Sequence, residues 1–302
     1  MNKWAYVFIV LGAALWGLIA IFVEGLYEYG FTPLQVVSIR VLTSAILLVI
    51  VVLVKNPALM RIDWRDSFYF VGTGIFSIVF FNWCLFTAIQ ETSIAVAAIL
   101  LYTAPAIVTL LSRLLFKEWL TMRKMGALFL TLVGCVFVIG VIPGGTSSVS
   151  AYGVIVGLCS GLGYALYSIF GKYALEKYSS MTVTLYTFIF ATVAIAPFSG
   201  LWNQLDTLLK TEVILNTVGI GFFSTVLAYL LYTIGLQYVE SSRASITATI
   251  EPVVATLIGV FMFREPLSGW QLTGIILVLS AVMIVQEKRK EAVQHSITYE
   301  VK

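Results

Sequence analysis

The sequence predicts an all-α integral membrane protein whose ten transmembrane helices form two inverted five-helix repeats. Hydrophobic residues make up 60% of the 302 residues and charged residues only 11%, whereas about a quarter of the residues in a soluble domain are charged. The charges cluster between apolar runs of about 18–23 residues, a length that crosses a hydrocarbon core of about 30 Å as a helix. A long internal repeat completes the prediction.

The internal repeat relates residues 72–118 to residues 219–265 without a gap, at a shift of 147 residues. A period this long indicates two copies of one folding unit. The identical pairs include Gly72/Gly219, Gly74/Gly221, Phe76/Phe223, Ser77/Ser224, Gln90/Gln237, Pro105/Pro252, Phe116/Phe263 and Glu118/Glu265.

Ten spans divide evenly around one linker. Residues 143–152 are rich in Gly, Pro and Ser, so they separate a first repeat, 1–142, from a second, 153–286, which a tail, 287–302, follows. Because each repeat crosses the membrane an odd number of times, the second is inverted relative to the first. The predicted spans are 4–23, 33–54, 68–88, 93–115, 124–142, 153–171, 181–200, 213–235, 244–263 and 269–286.

The basic residues predict the orientation. Fifteen of the 18 Lys and Arg residues fall on the side of the N-terminus and only Lys210 and Arg264 on the other, with Arg40 inside a span. Since basic loops stay in the cytoplasm, we expect a multi-pass protein of a bacterial inner or plasma membrane. Both termini are expected to be cytoplasmic.

Three stretches carry a family resemblance. They are ALWGLIAIFVE in the first span, TAPAIVTLLSRLLFKEWLT ending the fourth and IEPVVATLIGVFMFREPLS ending the ninth. With the ten-helix pattern they make the chain similar to the EamA-type family of the drug/metabolite transporter superfamily. The resemblance implies secondary transport by alternating access, with export of small amphipathic metabolites such as amino acids as the first expectation. A drug or organic-cation exporter and a flippase for a lipid-linked substrate remain alternatives.

An enzyme is not expected. The single histidine, His295, lies in the tail, and Cys84, Cys135 and Cys159 all lie inside apolar runs, so no metal site, cofactor or disulfide pattern can be identified. An intramembrane enzyme or a non-transporting membrane partner is therefore less favoured. The expected partners are a small-molecule substrate and the lipid bilayer but no nucleic acid; proton coupling and a homodimer stay open.

Two charges lie well inside spans, where a charge costs at least about 2.5–3.5 kcal/mol. We expect Arg40, near the outer end of span two, to snorkel to the interface or to cap a carbonyl. Glu251 lies near the middle of span nine, where its side chain reaches neither surface. It is either a proton or cation site coupled to transport or a neutral acid that bonds a neighbouring helix. Water at Glu251 would favour proton antiport, and its exclusion would favour facilitated diffusion.

Helical spacing predicts which face of span nine is wet. Thr249 shares a face with Ser242, Ser245 and Thr256, whereas Glu251 is turned about 200° away beside small residues. We therefore expect both faces to be buried in protein, with the Ser/Thr face bordering a cavity and the face of Glu251 packing closely, unless the kink at Pro252 rotates the outer half of the span. Pro105 and Pro252 break helical hydrogen bonds and are candidate hinges, although prolines are also common as structural kinks.

Polar and aromatic side chains at membrane depth are the candidates for a central substrate site. Asn82 and Tyr229 occupy equivalent positions in the two repeats and form the best symmetric pair, with ordinary interhelical hydrogen bonding and packing as the alternative. Glu118 and Glu265, at the ends of spans four and nine, are expected to pair with nearby bases or to cap the next helix. The candidate substrate-binding residues are Trp16, Asn82, Tyr102, Tyr164, Tyr167, Tyr229 and Thr249.

Overall fold

The computed structural model describes residues 2–140, 150–264 and 266–286. Most of the predicted linker, the whole predicted tail and Glu265 lie outside these ranges. Within them the chain is helical and contains no β-strand. The fold class is thus confirmed as all-α.

Ten spans, named α1 to α10, follow one another along the chain. Nine are long and apolar enough to cross a membrane among the described residues, and α5, with 17 residues, is about 25 Å long. Their helical segments are α1, Asn2–Gly17 and Ile19–Tyr27; α2, Pro33–Lys55; α3, Ser67–Phe70, Val71–Val79 and Phe80–Glu91; α4, Ile94–Leu101 and Ala104–Leu115; α5, Met122–Val138; α6, Ala151–Ala174; α7, Ser180–Ile195; α8, Thr211–Gly221, Phe222–Leu227 and Ala228–Tyr238; α9, Ser241–Ala248 and Ile250–Met262; and α10, Gly269–Gln286.

Hydroxyl side chains begin many of the spans. A Ser or Thr oxygen accepts a backbone N–H of the first turn, which satisfies a donor that the helix itself leaves unpaired. At α2, Thr32 and Gln35 satisfy each other's backbone N–H groups reciprocally. The other hydroxyl caps are Ser93 at α4, Thr121 at α5, Ser150 at α6 and Ser179 at α7.

The helices are interrupted at equivalent places in the two repeats. α4 breaks at Tyr102 and Thr103, and α9 breaks at Thr249. α3 and α8 each contain a π-helical segment, Val71–Val79 and Phe222–Leu227, a wide-turn form that is frequent at functional sites. One interruption has no counterpart: α1 breaks at Leu18, while α6 continues from Ala151 to Ala174.

Close crossings also recur in both repeats. A β-carbon at Gly219 would collide with the ring of Phe22, and one at Gly72 would collide with the ring of Phe170. Because Phe22 and Phe170 are 148 residues apart, α1 packs on α8 as α6 packs on α3. The glycines are therefore required for the same crossing in each copy.

The bundle places the meeting surface of the repeats at its centre. α1 packs against α8 and α9, α6 packs against α3 and α4, and α2 packs against α7. The largest buried cluster joins all of these helices except α4 and includes Trp16, Phe188 and Tyr229. α5 and α10 pack mainly against each other at the periphery. The core is therefore built by the other helices of both repeats, and the α5–α10 pair lies beside it.

The contact between α5 and α10 gives a stability prediction. A β-carbon at Gly274 would lie 2.6 Å from the backbone nitrogen of Val138 and 2.7 Å from the carbonyl oxygen of Gly134. Backbone atoms cannot move aside cheaply, so Gly274→Ala is expected to lower the free energy of unfolding by about 1–3 kcal/mol. Unfolding of the purified protein in detergent measures this change.

The matched control is Gly126→Ala, because no atom lies within 4 Å of a β-carbon added there. Alanine forms helix better than glycine by about 1 kcal/mol, so this variant should be as stable as the parent or more stable. Equal stability of the two variants would contradict the packing described for α5 and α10.

Candidate functional site

A cavity of about 200 Å³ lies where the two repeats meet. Its wall includes the second segment of α1, Ile19–Tyr27, and the first turns of α2. The cavity therefore extends from mid-depth towards the end of the bundle opposite the N-terminus (the far end). The lining residues are Trp16, Ile19, Val23, Tyr27, Val36, Val37, Arg40, Phe81, Asn82, Leu85, Phe86, Leu101, Tyr164, Ile220, Tyr229 and Glu251.

Aromatic rings form the floor of the cavity. The ring of Trp16 lies 4.9 Å from Tyr229, 5.1 Å from Tyr232 and 6.2 Å from Tyr164, distances typical of favourable ring pairs. The indole N–H of Trp16 has no hydrogen-bond partner among the described residues. Trp16 and Tyr164 are 148 residues apart, so the repeat places one aromatic side chain from each copy at the centre.

Below this floor, towards the end of the bundle where α1 begins (the near end), α6 is tied to α8. The hydroxyl of Tyr167 lies 2.7 Å from Thr233 Oγ1, and Ser168 Oγ lies 2.7 Å from the hydroxyl of Tyr232. One turn further, Lys172 donates to the carbonyls of Leu236 at 2.7 Å and Val239 at 2.8 Å, and to that of Gln237 at 3.4 Å. These contacts close the cavity at the near end.

Arg40 projects from α2 into the cavity. Its Nε donates to Thr225 Oγ1 at 3.0 Å and its Nη2 donates to the Tyr229 hydroxyl at 3.3 Å. Thr225 is itself held because its hydroxyl donates to the carbonyl of Ile220 at 2.8 Å. The guanidinium, which belongs to the first repeat, is thus fixed by two neutral side chains of the second.

Glu251 faces the same cavity from α9. Its Oε2 accepts a hydrogen bond of 2.9 Å from the Tyr164 hydroxyl, and Tyr102 lies close enough to interact with the carboxylate. Among the described residues, the ion pairs involve neither Glu251 nor Arg40. Charges of opposite sign therefore face one small cavity without pairing directly.

The EamA-like transporter family model matches this chain twice, over residues 3–140 and 151–286. The chain belongs to the EamA-like transporter family. Two uncharacterized transporters of Archaeoglobus fulgidus are 30% identical over 276 residues, covering 91% of this chain and 94% of that protein, and 29% identical over 295 residues, covering 96% and 100%. The uncharacterized transporter YwfM of Bacillus subtilis is 25% identical over 287 residues, 92% of each chain.

A solved structure titled "Crystal structure of protein" has the same fold as this EamA-like chain. The TM-score is 0.78, the identity is 19%, and the match covers 94% of this chain and 96% of the other. The family match and the apolar helices identify a multi-pass membrane transporter. The family resemblance in the sequence is confirmed.

In this EamA-like chain, most of the sequence-predicted site residues come together. Trp16, Asn82, Tyr164, Tyr229 and Glu251 line the cavity, and Tyr167 lines a smaller recess beneath it. Their role in binding substrate stays a prediction.

Two other candidates lie apart from the cavity wall. Tyr102 packs beside a buried cluster that includes Val253 and Val278, although it interacts with Glu251. Thr249 is buried and donates to the carbonyl of Ile246 at 2.6 Å. Neither Tyr102 nor Thr249 is among the described residues that form the cavity wall.

Two expectations about side-chain direction are wrong. Arg40 does not snorkel to the interface, because Thr225 and Tyr229 hold it inside the bundle, where it is 7% exposed. On α9 the cavity meets Glu251 rather than Thr249. The break at Thr249 explains this reversal, since faces read from a continuous helix do not carry across an interruption.

The two prolines follow the breaks in α4 and α9. Pro105 is in the first turn of Ala104–Leu115, where its missing N–H costs no hydrogen bond. Pro252 occupies the third position of Ile250–Met262. Their role as hinges stays a prediction.

The sequence did not single out the apolar half of the wall or the inward direction of the Arg40 side chain. Val36, Val37 and Arg40 share one side of α2, and Ser44, one turn later, donates to the carbonyl of Gly221 at 3.0 Å. The four-residue spacing of Arg40 and Ser44 is a signal that could have indicated an inward polar stripe. Within the described ranges, no group of three or more His, Cys, Asp or Glu side chains could hold a metal ion.

A charged network at the near end links the two repeats. Glu118, after α4, accepts from the backbone N–H of Ser241 at 2.8 Å and of Ser242 at 3.3 Å, and from the hydroxyl of Ser242. It therefore caps α9 rather than the next helix, α5, whereas the alternative expectation for Glu118, pairing with a nearby base, is met by Lys124. A negative charge at a helix N-terminus is favourable because the helix dipole is positive there.

The counter-charge of the network is Lys124, which is buried. Its ammonium lies 3.5 Å from Glu118 and 2.9 Å from Glu240, and Glu240 also pairs with Arg243 at 2.6 Å. Burial alone would raise the pKa of Glu240, but hydrogen bonds and charge attraction from Lys124 and Arg243 hold that pKa below its usual value. Glu240 thus stays ionised.

The network predicts the effect of removing Lys124. Lys124→Met removes the ion-pair partner of the buried Glu118, and removing one partner of a buried pair costs about 3–5 kcal/mol. Unfolding in detergent is expected to show this loss, while Lys55→Met, at an exposed position at the end of α2, serves as the control. Equal stability of the two variants would show that the network contributes nothing.

Proposed function

We propose that this chain is a secondary transporter that exports small amphipathic metabolites, such as amino acids, by alternating access. The observation that carries the proposal is the cavity between the repeats, whose wall combines two opposite charges with apolar and aromatic side chains. Substrate sites of repeat-built transporters lie at mid-depth where the repeats meet. The resemblance of the sequence to exporters of this type supports this direction of transport.

The shape of the cavity supports an outward-facing state. It extends to the far end, and the hydrogen bonds between α6 and α8 close it at the near end. With the N-terminus in the cytoplasm, as the basic residues indicate, the far end faces outside. To open inward, the bonds from Ser168 to Tyr232 and from Lys172 to the end of α8 must break, and the interruptions before Pro105 and Pro252 are the proposed hinges.

The size of the cavity favours a small metabolite over a drug. Its volume of about 200 Å³ is below the about 300–1,000 Å³ of pockets for drug-sized ligands. An organic-cation exporter is the second candidate, because the rings of Trp16, Tyr164 and Tyr229 and the carboxylate of Glu251 suit a cation. The guanidinium of Arg40 in the same cavity disfavours it.

Proton coupling would centre on Glu251. It lines the cavity and is the acidic side chain in the described part of its wall. The groups that face it are the cation of Arg40, the hydroxyls of Tyr102, Tyr164 and Tyr229, and the thiol of Cys135. We propose that Glu251 carries a proton inward as substrate leaves, so that a pH gradient drives export.

Flux in liposomes tests the function. The purified protein is offered a panel of amino acids and organic cations, with and without a pH gradient, and transport of amino acids accelerated by the gradient is expected. In Glu251→Gln the gradient should no longer accelerate flux at saturating substrate, because the amide cannot exchange a proton.

The control for this measurement is Glu24→Gln, an exposed acid near the far end of α1, which should respond to the gradient like the parent. Full pH-driven transport by Glu251→Gln would refute the coupling role. Transport of organic cations alone would refute the substrate class.

A further inference from the structure

One basic and one acidic side chain face the cavity between the repeats. Arg40 comes from α2 in the first repeat and Glu251 from α9 in the second, and both are in its wall. A charge at this depth is costly unless it is paired or functional. Since no direct ion pair joins them within the described ranges, their arrangement suits a ligand that carries both charges itself.

Arg40 is the group suited to an anion. Its hydrogen bonds to Thr225 and Tyr229 use two of the five N–H donors of a guanidinium, which leaves three. Both partners are uncharged, so the positive charge is held in place but is not neutralised. A guanidinium fixed in this way matches the two oxygens of a carboxylate.

Glu251 is the group suited to a cation. The hydroxyl of Tyr164 donates to one carboxylate oxygen, and this donor is also neutral. The rings of Trp16, Tyr164 and Tyr229 lie in the same part of the wall, where their faces can stabilise an ammonium group. A primary amine at this position would meet both a negative charge and aromatic rings.

Apart from Asn82 and Tyr27, the rest of the wall is apolar, which limits the remainder of the ligand. Val23, Val37, Leu85, Phe86 and Ile220 line it with hydrocarbon, and burying a charged or strongly polar side chain against such a surface is unfavourable. The volume of about 200 Å³ excludes a large molecule. The ligand is therefore small, and its side chain is apolar.

We propose that the cavity binds a zwitterionic amino acid with an uncharged apolar side chain, with the carboxylate at Arg40 and the ammonium at Glu251. This inference rests on the proposed transport function and sharpens it. Arg40 becomes a substrate-binding and specificity-determining residue, and each repeat supplies one of the two charges that recognise the substrate. A substrate that spans both charges also links the repeats while it is bound.

Competition in liposomes tests the recognition of both charges. The full-length protein is reconstituted in liposomes, and uptake of labelled leucine is measured in the presence of unlabelled leucine, leucinamide or 4-methylpentanoate as competitor. Leucinamide lacks the carboxylate and 4-methylpentanoate lacks the amine, so each should compete at least tenfold less well than leucine. Equal competition by either analogue would overturn the proposal but leave the transport function intact, whereas absence of flux for every amino acid and organic cation tried would overturn both.

Variants assign the two ends. Arg40→Gln should lower the apparent affinity for leucine at least tenfold. It should change the apparent affinity for leucinamide less than threefold, because leucinamide has no carboxylate for Arg40 to bind. Glu251→Gln should lower the apparent affinity for leucine but change that for 4-methylpentanoate less than threefold, because this analogue has no amine. Lys55→Gln, at an exposed position at the end of α2, should match the parent for all three compounds.

A merely structural role for Arg40 gives a different result. In that case Arg40→Gln would lower the apparent affinity for all three compounds by the same factor, which would overturn the proposal. If Arg40→Gln does not fold, Arg40→Lys is used, which keeps the charge but cannot bind both carboxylate oxygens as a guanidinium does. This variant should bind leucine more weakly than the parent and leucinamide equally well. The analogue series on the parent protein decides the proposal without any variant.

Discussion

The structure depends on how charge is held inside an apolar bundle. A buried charge without compensation costs several kcal/mol in a membrane, and this chain meets that cost in two ways. At the near end, Glu118, Lys124 and Glu240 compensate one another, and Glu118 also caps α9. At the cavity, Arg40 and Glu251 are each held by hydroxyl groups from the opposite repeat or a neighbouring helix, so their charges remain available to a ligand.

Duplication provides the frame for this arrangement. The same crossings occur twice, with Phe22 on Gly219 and Phe170 on Gly72, but the charges do not repeat, since Ala104 stands where the copy of Glu251 would be. The broken α1 and the continuous α6 are likewise unequal. The helix crossings are thus symmetric, whereas the charges of the site and the continuity of α1 and α6 are not. This asymmetry is consistent with a cavity that is open at one end and closed at the other.

The sequence was sufficient for the fold because repeat, span length and composition act over many residues. It also placed Glu251 near mid-depth and paired Asn82 with Tyr229, both of which line the cavity. It could not give the direction of Arg40, since a long side chain at that depth can turn either way, and the partner Thr225 is 185 residues distant. Nor could it give the faces of α9, because they depend on the break at Thr249.

The central claim is that the space between the repeats is the substrate path and opens at the far end. Thiol labelling tests it most directly in cells that express a variant without native cysteines. Leu85→Cys, in the cavity wall, should react with a membrane-impermeant maleimide added outside and be protected by excess leucine. Glu28→Cys, at an exposed position just after α1 at the far end, should react without being protected. Reaction of Leu85→Cys only from the cytoplasmic side, or no reaction from either side, would contradict the account.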